Sequence, residues 1–208
     1  PASGIVWQSM NRRYFDWAAS APLAFPAPAA VPAGNPSSRH AEGREARRLL
    51  EGARSRCAAV LGVPPSTLYF TSGGTEGNAL VLHSLLLRQG DPALIHSAVE
   101  HPSVAANGEA LRRAGRRVGI APVLPDGRAD AEGVLRCLDR TANARMAALM
   151  AVNNETGAVS DISAIAAAMR LRSGPPVHLH CDAVQALGKI PFNRSEEHTS
   201  ELQSRQVI

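Results

Sequence analysis

Hydrophobic positions along the chain fall into two patterns, short apolar runs typical of strands and longer segments with helical spacing. The run at 146–152 has no polar alternation, which indicates a strand that is covered on both faces. The pattern predicts strands at 67–70, 93–96, 118–122, 146–152 and 177–181. It predicts helices between a cap at Ser37 or Ser38 and Gly62, and at 75–90, 103–114, 131–138 and 162–171. This regular alternation predicts a three-layer α/β/α fold with a mostly parallel sheet.

Both ends of the chain depart from this pattern. The five prolines from Pro22 to Pro36 indicate an extended loop, because proline fixes the backbone angle φ and lacks an N–H donor. Residues 194–208 contain no Gly, Ala or Pro and resemble a translated sequencing adapter, so we interpret them as a non-native tail. A native polar tail is the alternative. The predicted organisation is an amino-terminal segment at 1–21, a large domain at 22–193 and the tail at 194–208.

The composition is typical of a soluble protein, with 45% hydrophobic and 19% charged residues. The net charge of +4 rests on scattered arginines, which fit solvated helix faces better than a nucleic-acid surface. The cysteines Cys57, Cys137 and Cys181 are odd in number and far apart, which argues against a disulfide framework and favours a reducing compartment. No apolar run reaches membrane-spanning length, so we expect a cytoplasmic protein without a membrane partner.

The stretch from Thr71 to Thr75 runs from a predicted strand through two glycines directly into a predicted helix. Gly73 and Gly74 free the backbone, and Thr75 can cap the helix. Such a turn directs unpaired N–H groups and the positive helix end at one point, where a phosphate would bind. Plain turn chemistry explains the same glycines equally well.

Polar side chains follow three further predicted strands. They are Glu100 and His101, the segment Asn153–Glu155, and Asp182 with Gln185. Because ligands bind beyond the carboxyl ends of parallel strands, we expect these groups to share one rim with the Thr71–Thr75 turn. Each also has a purely structural explanation. Asp182 can be a helix cap, the two asparagines can form a turn, and His101 can be a loop residue.

His178 and His180 alternate on one face of a predicted strand, as metal ligands sometimes do. They have no third partner at ligand spacing, so we interpret them as core histidines and predict no metal site. Cys181 is interpreted as a packed thiol.

Six segments, taken together and in order, resemble the cysteine desulfurases, which are pyridoxal-phosphate enzymes of the class-V aminotransferase group. The segments are Tyr14–Pro22, Gly34–Ser38, Phe70–Asn78, Glu100–His101, Val152–Gly157 and Asp182–Pro191. The resemblance implies that residues 22–193 form the cofactor-binding large domain of a type I pyridoxal-phosphate enzyme.

The resemblance also implies a role for the polar groups at the rim. Gly74 and Thr75 would hold the phosphate of pyridoxal phosphate by backbone N–H groups and a hydroxyl. Asp182 would pair with the protonated pyridine nitrogen, which lets the ring act as an electron sink. Asn154 and Gln185 would hydrogen-bond the phenolic oxygen of the ring.

The same resemblance implies the reaction and its partners. His101 would stack on the cofactor ring and handle protons, as the candidate catalytic residue. L-Cysteine would be converted to L-alanine, with its sulfur passed to a protein thiol and on to a sulfur-acceptor protein for iron–sulfur or related biosynthesis. The assembly would be a homodimer, with nucleic acid involved at most indirectly, through tRNA thiolation. Selenocysteine lyase or another class-V enzyme is one alternative, and a non-catalytic phosphate- or nucleotide-binding module is another.

Departures from the family pattern change the expectation for the chain as written. The family usually carries alanine where Gly74 stands, and its Schiff-base lysine lies beyond the segment from Asp182 to Gln185. Lys189, the one lysine of the sequence, matches a Gly-Lys-x-Pro element instead. The nucleophilic cysteine, the substrate-binding arginine and the small carboxyl-terminal domain have no counterpart either. We therefore expect an incomplete and inactive amino-terminal part of the enzyme.

Overall fold

A parallel sheet lies at the centre of the computed structural model, which describes residues 15–20, 34–191 and the backbone of 206–207. The strands are β1 (Leu68–Tyr69), β2 (Ala93–Ser97), β3 (Val118–Ala121), β4 (Ala144–Met150), β5 (His178–Asp182) and β6 (Gln206–Val207). Four of them form one sheet in the order β3-β2-β4-β5, and each pair in it is parallel. β1 pairs separately with β6, also in parallel, with Leu68 opposite Gln206.

Helices connect these strands. They are α1 (Ala41–Leu61), α2 (Gly74–His83), α3 (Pro102–Arg113), α4 (Ala131–Arg140) and α5 (Ile162–Leu171), with short 3-10 turns at Pro65–Thr67 and Ser84–Leu87. Every strand and helix predicted from the sequence is present, with shifted boundaries except for α5. Within the described residues, no helix combines the length and the apolar composition that a membrane crossing requires.

Alternate residues of the central strands face opposite layers of helices, as the two-residue period of a strand dictates. On one face, Ile95 and Leu149 belong to a buried cluster with residues of α4 and α5. On the other face, Leu94 and Met146 belong to a second cluster with residues of α2 and α3. The three-layer α/β/α fold with a parallel sheet, predicted from the sequence, is therefore confirmed.

The start of α1 differs from the prediction that Ser37 or Ser38 caps it. The N-cap is His40, whose side chain accepts a hydrogen bond from the first turn of the helix. Ser37 and Ser38 belong to a preceding turn, in which their backbone N–H groups donate to the side-chain and backbone oxygens of Asn35. The predicted end of the helix is right, because Gly62 forms the left-handed C-cap at φ 63°.

The chain divides into two compact units, Pro1–Val31 and Pro32–Ile208. In the first unit, the described residues 15–20 form a turn in which Ser20 N donates to Asp16 O at 3.1 Å. Residues 22–33 of the predicted proline-rich loop lie outside the described residues. The predicted tail also lies outside them, apart from the backbone of 206–207.

Candidate functional site

The carboxyl ends of β2, β4 and β5 are joined at one edge of the sheet. Glu100, which follows β2, accepts hydrogen bonds at Oε1 from Ser97 Oγ at 2.5 Å and from Met150 N at 3.0 Å. One residue past β4, Ala151 N donates to the backbone oxygen of Asp182 at 2.9 Å. The polar groups predicted to follow these strands are therefore fixed to a common rim.

Asp182 is a buried carboxylate whose two oxygens each accept a hydrogen bond. Its Oδ1 accepts from Val184 N at 3.1 Å, so it does cap the turn that follows β5. Its Oδ2 accepts from Asn78 Nδ2 of α2 at 2.8 Å. The residue is only 8% exposed, so these two hydrogen bonds largely replace the contact of its carboxylate with water. The alternative that Asp182 caps a helix is wrong, because a turn and no helix follows it at 183–190.

His101 forms the N-cap of α3 and is half-buried. Its Nδ1 accepts from Ser103 N at 3.1 Å and lies 2.7 Å from Ser103 Oγ. Ser103 Oγ in turn accepts from Asn78 Nδ2 at 2.9 Å. His101 and Asp182, which are 81 positions apart by their numbers, are thus connected through Ser103 and Asn78.

The first turn of α2 offers open N–H groups. Its N-cap is Gly73, with φ 156° and ψ 178°, and among the described residues no side chain caps the helix. The prediction that Thr75 is the cap is therefore wrong, because Thr75 lies inside the first turn, where its own hydroxyl cannot serve the helix start. Glu76 instead reaches back to Ser72 N at 2.6 Å, and this hydrogen bond lowers the pKa of its carboxyl. The N–H groups at Gly74 and Thr75 fit a phosphate.

The start of α2 also touches the turn after β5. A β-carbon built on Gly74 would lie 2.5 Å from Val184 Cγ2. Two of the predicted site segments, the glycine turn and the segment after Asp182, are therefore in van der Waals contact. This contact places the start of α2 beside the turn that follows Asp182.

Asn154 and Gln185 follow β4 and β5, respectively. The loop after β4 is built by Asn153, whose Oδ1 accepts from Glu155 N and Thr156 N at 3.0 and 2.9 Å. Asn154 is half-buried, and within the described part of the chain no hydrogen bond of its side chain is found. Gln185 Oε1 accepts from Lys189 Nζ.

Glu100 and His180, which are both partly buried, have displaced pKa values. Burial raises the pKa of the Glu100 carboxyl to about 7, and the neighbouring Asp182 charge acts in the same direction. Its Oε2 is buried without a hydrogen-bond partner in the described structure. Burial lowers the pKa of His180 to about 4, and its Nε2 lies 2.7 Å from Asn78 Oδ1. His180 is therefore a core histidine with a hydrogen-bond partner, as the sequence suggested.

Histidine, cysteine and carboxylate side chains do not gather into a potential metal site in the described residues, where no group of three such side chains is found. Burial also lowers the pKa of the His178 imidazole below its ordinary value. Both histidines of β5 therefore favour the neutral state.

Sequence reasoning missed Asn78 and Ser103 as parts of the site. Asn78 is 4% exposed and lies on α2 among small and apolar residues. An asparagine in a helix interior is unfavourable unless its amide finds partners, and this was the available signal. Its partners Ser103 and Asp182 are 25 and 104 positions away, so the sequence did not reveal them.

The chain is similar to class-V aminotransferases, whose family model, Aminotransferase class-V, matches residues 29–198. A cysteine desulfurase of Nostoc sp. is 37% identical over 161 residues, which cover 77% of this chain and 39% of the relative. A selenocysteine lyase of Homo sapiens is 33% identical over 186 residues, which cover 75% of this chain and 41% of the relative.

Solved structures show the same likeness. A NifS-like protein has a TM-score of 0.71 and 31% identity, over 77% of this chain and 44% of the other. A C-DES variant with glycine covalently linked to its PLP cofactor has a TM-score of 0.67 and 26% identity, over 78% of this chain and 42% of the other. The chain spans about 40% of the length of the curated relatives it matches.

Proposed function

The chain belongs to the class-V aminotransferase family, and we propose that it forms the pyridoxal-phosphate site of a cysteine desulfurase. The observation that carries the proposal is the contact between two elements of the site. The uncapped start of α2 packs on the turn that follows the buried Asp182 carboxylate. A helix start can bind the phosphate of a ligand, and a carboxylate can bind its protonated ring nitrogen. One ligand that carries both groups needs the helix start and the carboxylate close together.

The residues present fit pyridoxal phosphate. Gly74 and Thr75 offer backbone N–H groups at the positive end of α2, and no side chain in the described part of the chain competes for them as a cap. Asp182 keeps a hydrogen-bonded, buried carboxylate at the end of β5, which suits a positively charged ring nitrogen. The bound cofactor would supply the electron sink that labilises bonds at the substrate carbon.

Three further residues belong to the proposed site. Asn154 and Gln185 would hydrogen-bond the phenolic oxygen, and the half-buried Asn154 amide is available to do so. His101, as the proposed catalytic residue, would stack on the cofactor ring from the start of α3. The fixed position of its Nδ1 against Ser103 would hold the imidazole in one orientation for stacking.

We propose L-cysteine as the substrate, with sulfur transferred to a protein thiol and then to a sulfur-acceptor protein. The similarity to the cysteine desulfurase of Nostoc sp. supports this choice. The similarity to the human selenocysteine lyase supports the second candidate, selenocysteine cleavage. A homodimer, a cytoplasmic location and a role in iron–sulfur biosynthesis are parts of the same proposal.

Binding of pyridoxal phosphate to the purified chain tests the cofactor part of the proposal. We expect saturable binding, measured by the absorbance and fluorescence of the cofactor, and loss of at least about tenfold in affinity for Asp182→Asn. Asp139→Asn is the matched control, because Asp139 is an exposed carboxylate that pairs with Arg172. Equal affinity of the unaltered chain and Asp182→Asn would contradict the proposal. So would binding of ATP in preference to pyridoxal phosphate, which a nucleotide-binding module would show.

The substrate is tested by comparing L-cysteine with L-selenocysteine. Alanine formation is measured with each substrate in the presence of pyridoxal phosphate and a reducing thiol. Because the chain as written has no counterpart of the Schiff-base lysine, we expect no alanine from either substrate. Faster turnover of L-cysteine would contradict that inactivity and support a desulfurase, whereas turnover of L-selenocysteine alone would favour the lyase.

A further inference from the structure

Asn78 joins three groups at the rim of the sheet. Its Nδ2 donates to Asp182 Oδ2 at 2.8 Å and to Ser103 Oγ at 2.9 Å. Its Oδ1 lies 2.7 Å from His180 Nε2. A side-chain amide has two N–H donors and one carbonyl oxygen, so these contacts use both donors and the oxygen. The side chain is 4% exposed, and each contact therefore forms without competition from bulk water.

The orientation of this amide follows from Asp182. If the amide were turned over, its oxygen would face the Asp182 carboxylate, and two acceptors would meet with no hydrogen between them. With Nδ2 toward Asp182, Asn78 Oδ1 must accept a hydrogen bond from His180 Nε2. Neutral His180 therefore carries its hydrogen on Nε2, and burial favours the neutral form by lowering the pKa of this residue to about 4.

The same reasoning extends to His101 through Ser103. Because Ser103 Oγ accepts from Asn78, its own hydroxyl hydrogen is free to be donated to His101 Nδ1, which lies 2.7 Å away. Ser103 N donates to the same Nδ1 at 3.1 Å. A nitrogen that accepts from two donors cannot itself carry a hydrogen. Neutral His101 therefore has its hydrogen on Nε2.

We infer that Asn78 is a positioning residue that orients the Asp182 carboxylate and, through Ser103, holds neutral His101 with its hydrogen on Nε2. The inference rests on the proposed function and deepens it, because it concerns the same site. In this state His101 can donate a hydrogen bond from Nε2 and cannot accept a proton there, since that nitrogen has no free lone pair. Neutral His101 thus presents a hydrogen-bond donor to the site.

The ring nitrogens are tested by 15N NMR of the chain labelled at histidine. At about pH 8, where an unperturbed imidazole is neutral, the spectrum distinguishes a nitrogen that carries hydrogen from one that does not. We expect the hydrogen on Nε2 in both His101 and His180. A hydrogen on His101 Nδ1, or a bare Nε2 in His180, would overturn the inference.

Two variants and a control separate the links of the network. Asn78→Leu removes all contacts of the amide, so we expect the His101 Nδ1 resonance to move and the affinity for pyridoxal phosphate to fall about tenfold. Ser103→Ala removes the hydroxyl that joins Asn78 to His101 but leaves the hydrogen bond from Asn78 to Asp182, so the resonance moves and the affinity stays within about twofold. Asn107→Ala is the control, because its Nδ2 donates to Ser103 O at 2.6 Å, outside the network. It should change neither measurement.

The outcomes remain distinct if a variant fails. If Asn78→Leu does not fold, Ser103→Ala decides, and an unchanged His101 Nδ1 resonance would overturn the inference. Failure of the unaltered chain to bind pyridoxal phosphate would contradict the proposed function instead. The assignments of hydrogen in His101 and His180 are made without cofactor, so they still decide the inference about Asn78.

Discussion

Val184 Cγ2 occupies the space that a side chain at Gly74 would need, at 2.5 Å from the position of a β-carbon. The resemblance to cysteine desulfurases implies alanine as the usual residue at this place. In this chain the β-branched side chain of Val184 fills the gap that Gly74 leaves between the start of α2 and the turn after Asp182. Gly74 and Val184 thus behave as a complementary small and large pair.

Gly74→Ala is therefore expected to destabilise the fold by about 1 kcal/mol or more, since the new methyl group overlaps a stiff β-branched side chain. The free energy of unfolding is measured by chemical denaturation. Val184→Ala removes the overlap, and with it in place Gly74→Ala should become neutral or stabilising, because alanine favours a helix over glycine.

Gly52→Ala is the matched control for this double-mutant cycle. Gly52 lies inside α1, and a β-carbon there would come no nearer than 3.5 Å to Arg56 Nη1. It should stabilise the protein by up to about 1 kcal/mol. Additive effects of the changes at Gly74 and Val184 would show that the two positions are not coupled.

Glu100 should make the fold less stable as the pH rises from about 4.5 to 7. Its pKa is raised from the ordinary value to about 7, chiefly by burial, so the unfolded carboxyl loses its proton at lower pH than the folded one. The contribution of Glu100 to the free energy of unfolding is fully present below the pKa of the unfolded state. It is lost as the pH rises through the pKa of the folded state, by up to about 3 kcal/mol. Glu100→Gln, which imitates the neutral acid, should remove this part of the pH dependence of unfolding.

His180 changes the pH dependence of stability in the opposite direction, over a pH range that overlaps that of Glu100. Its pKa is lowered to about 4 by burial, so stability falls as the pH falls from about 6.5 toward 4. Burial lowers the pKa of His96 and His178 as well, which adds to the same trend. The Glu100→Gln variant should therefore lose stability steadily on acidification. A variant whose stability rises on acidification would show that Glu100 is not the group responsible.

The fold could be predicted because its signals are local. The apolar run that became β4 and the helical spacing that became α5 each depend on neighbouring residues, and α5 was placed at its observed bounds, Ile162–Leu171. Helix caps were less predictable, since a local turn at Asn35 competes for Ser37 and Ser38. The choice among several candidate caps depends on backbone geometry that the sequence does not display.

The site could be predicted only in outline. Asp182 and His101 were singled out because polar residues at strand ends share one rim. Asn78 was missed because its three contacts join segments far apart in the chain. Glu100 was noted beside His101, but its Oε2, which is buried and has no hydrogen-bond partner among the described residues, depends on how β2 and β4 meet. Burial and partner choice are properties of packing, and they determine which polar residues are part of the site.

Substitutions at the adjacent residues Asn153 and Asn154 should have different effects, one on the stability of the fold and the other on cofactor binding. Asn153 is buried, its Oδ1 accepts from two backbone N–H groups of the loop, and its Nδ2 donates to Val99 O at 3.0 Å. Asn153→Ala should cost about 2 kcal/mol or more, because buried groups lose their partners. Asn154→Ala should change stability by less than about 0.5 kcal/mol while weakening pyridoxal-phosphate binding. Denaturation and cofactor titration of both variants check this, and equal losses of stability would contradict it.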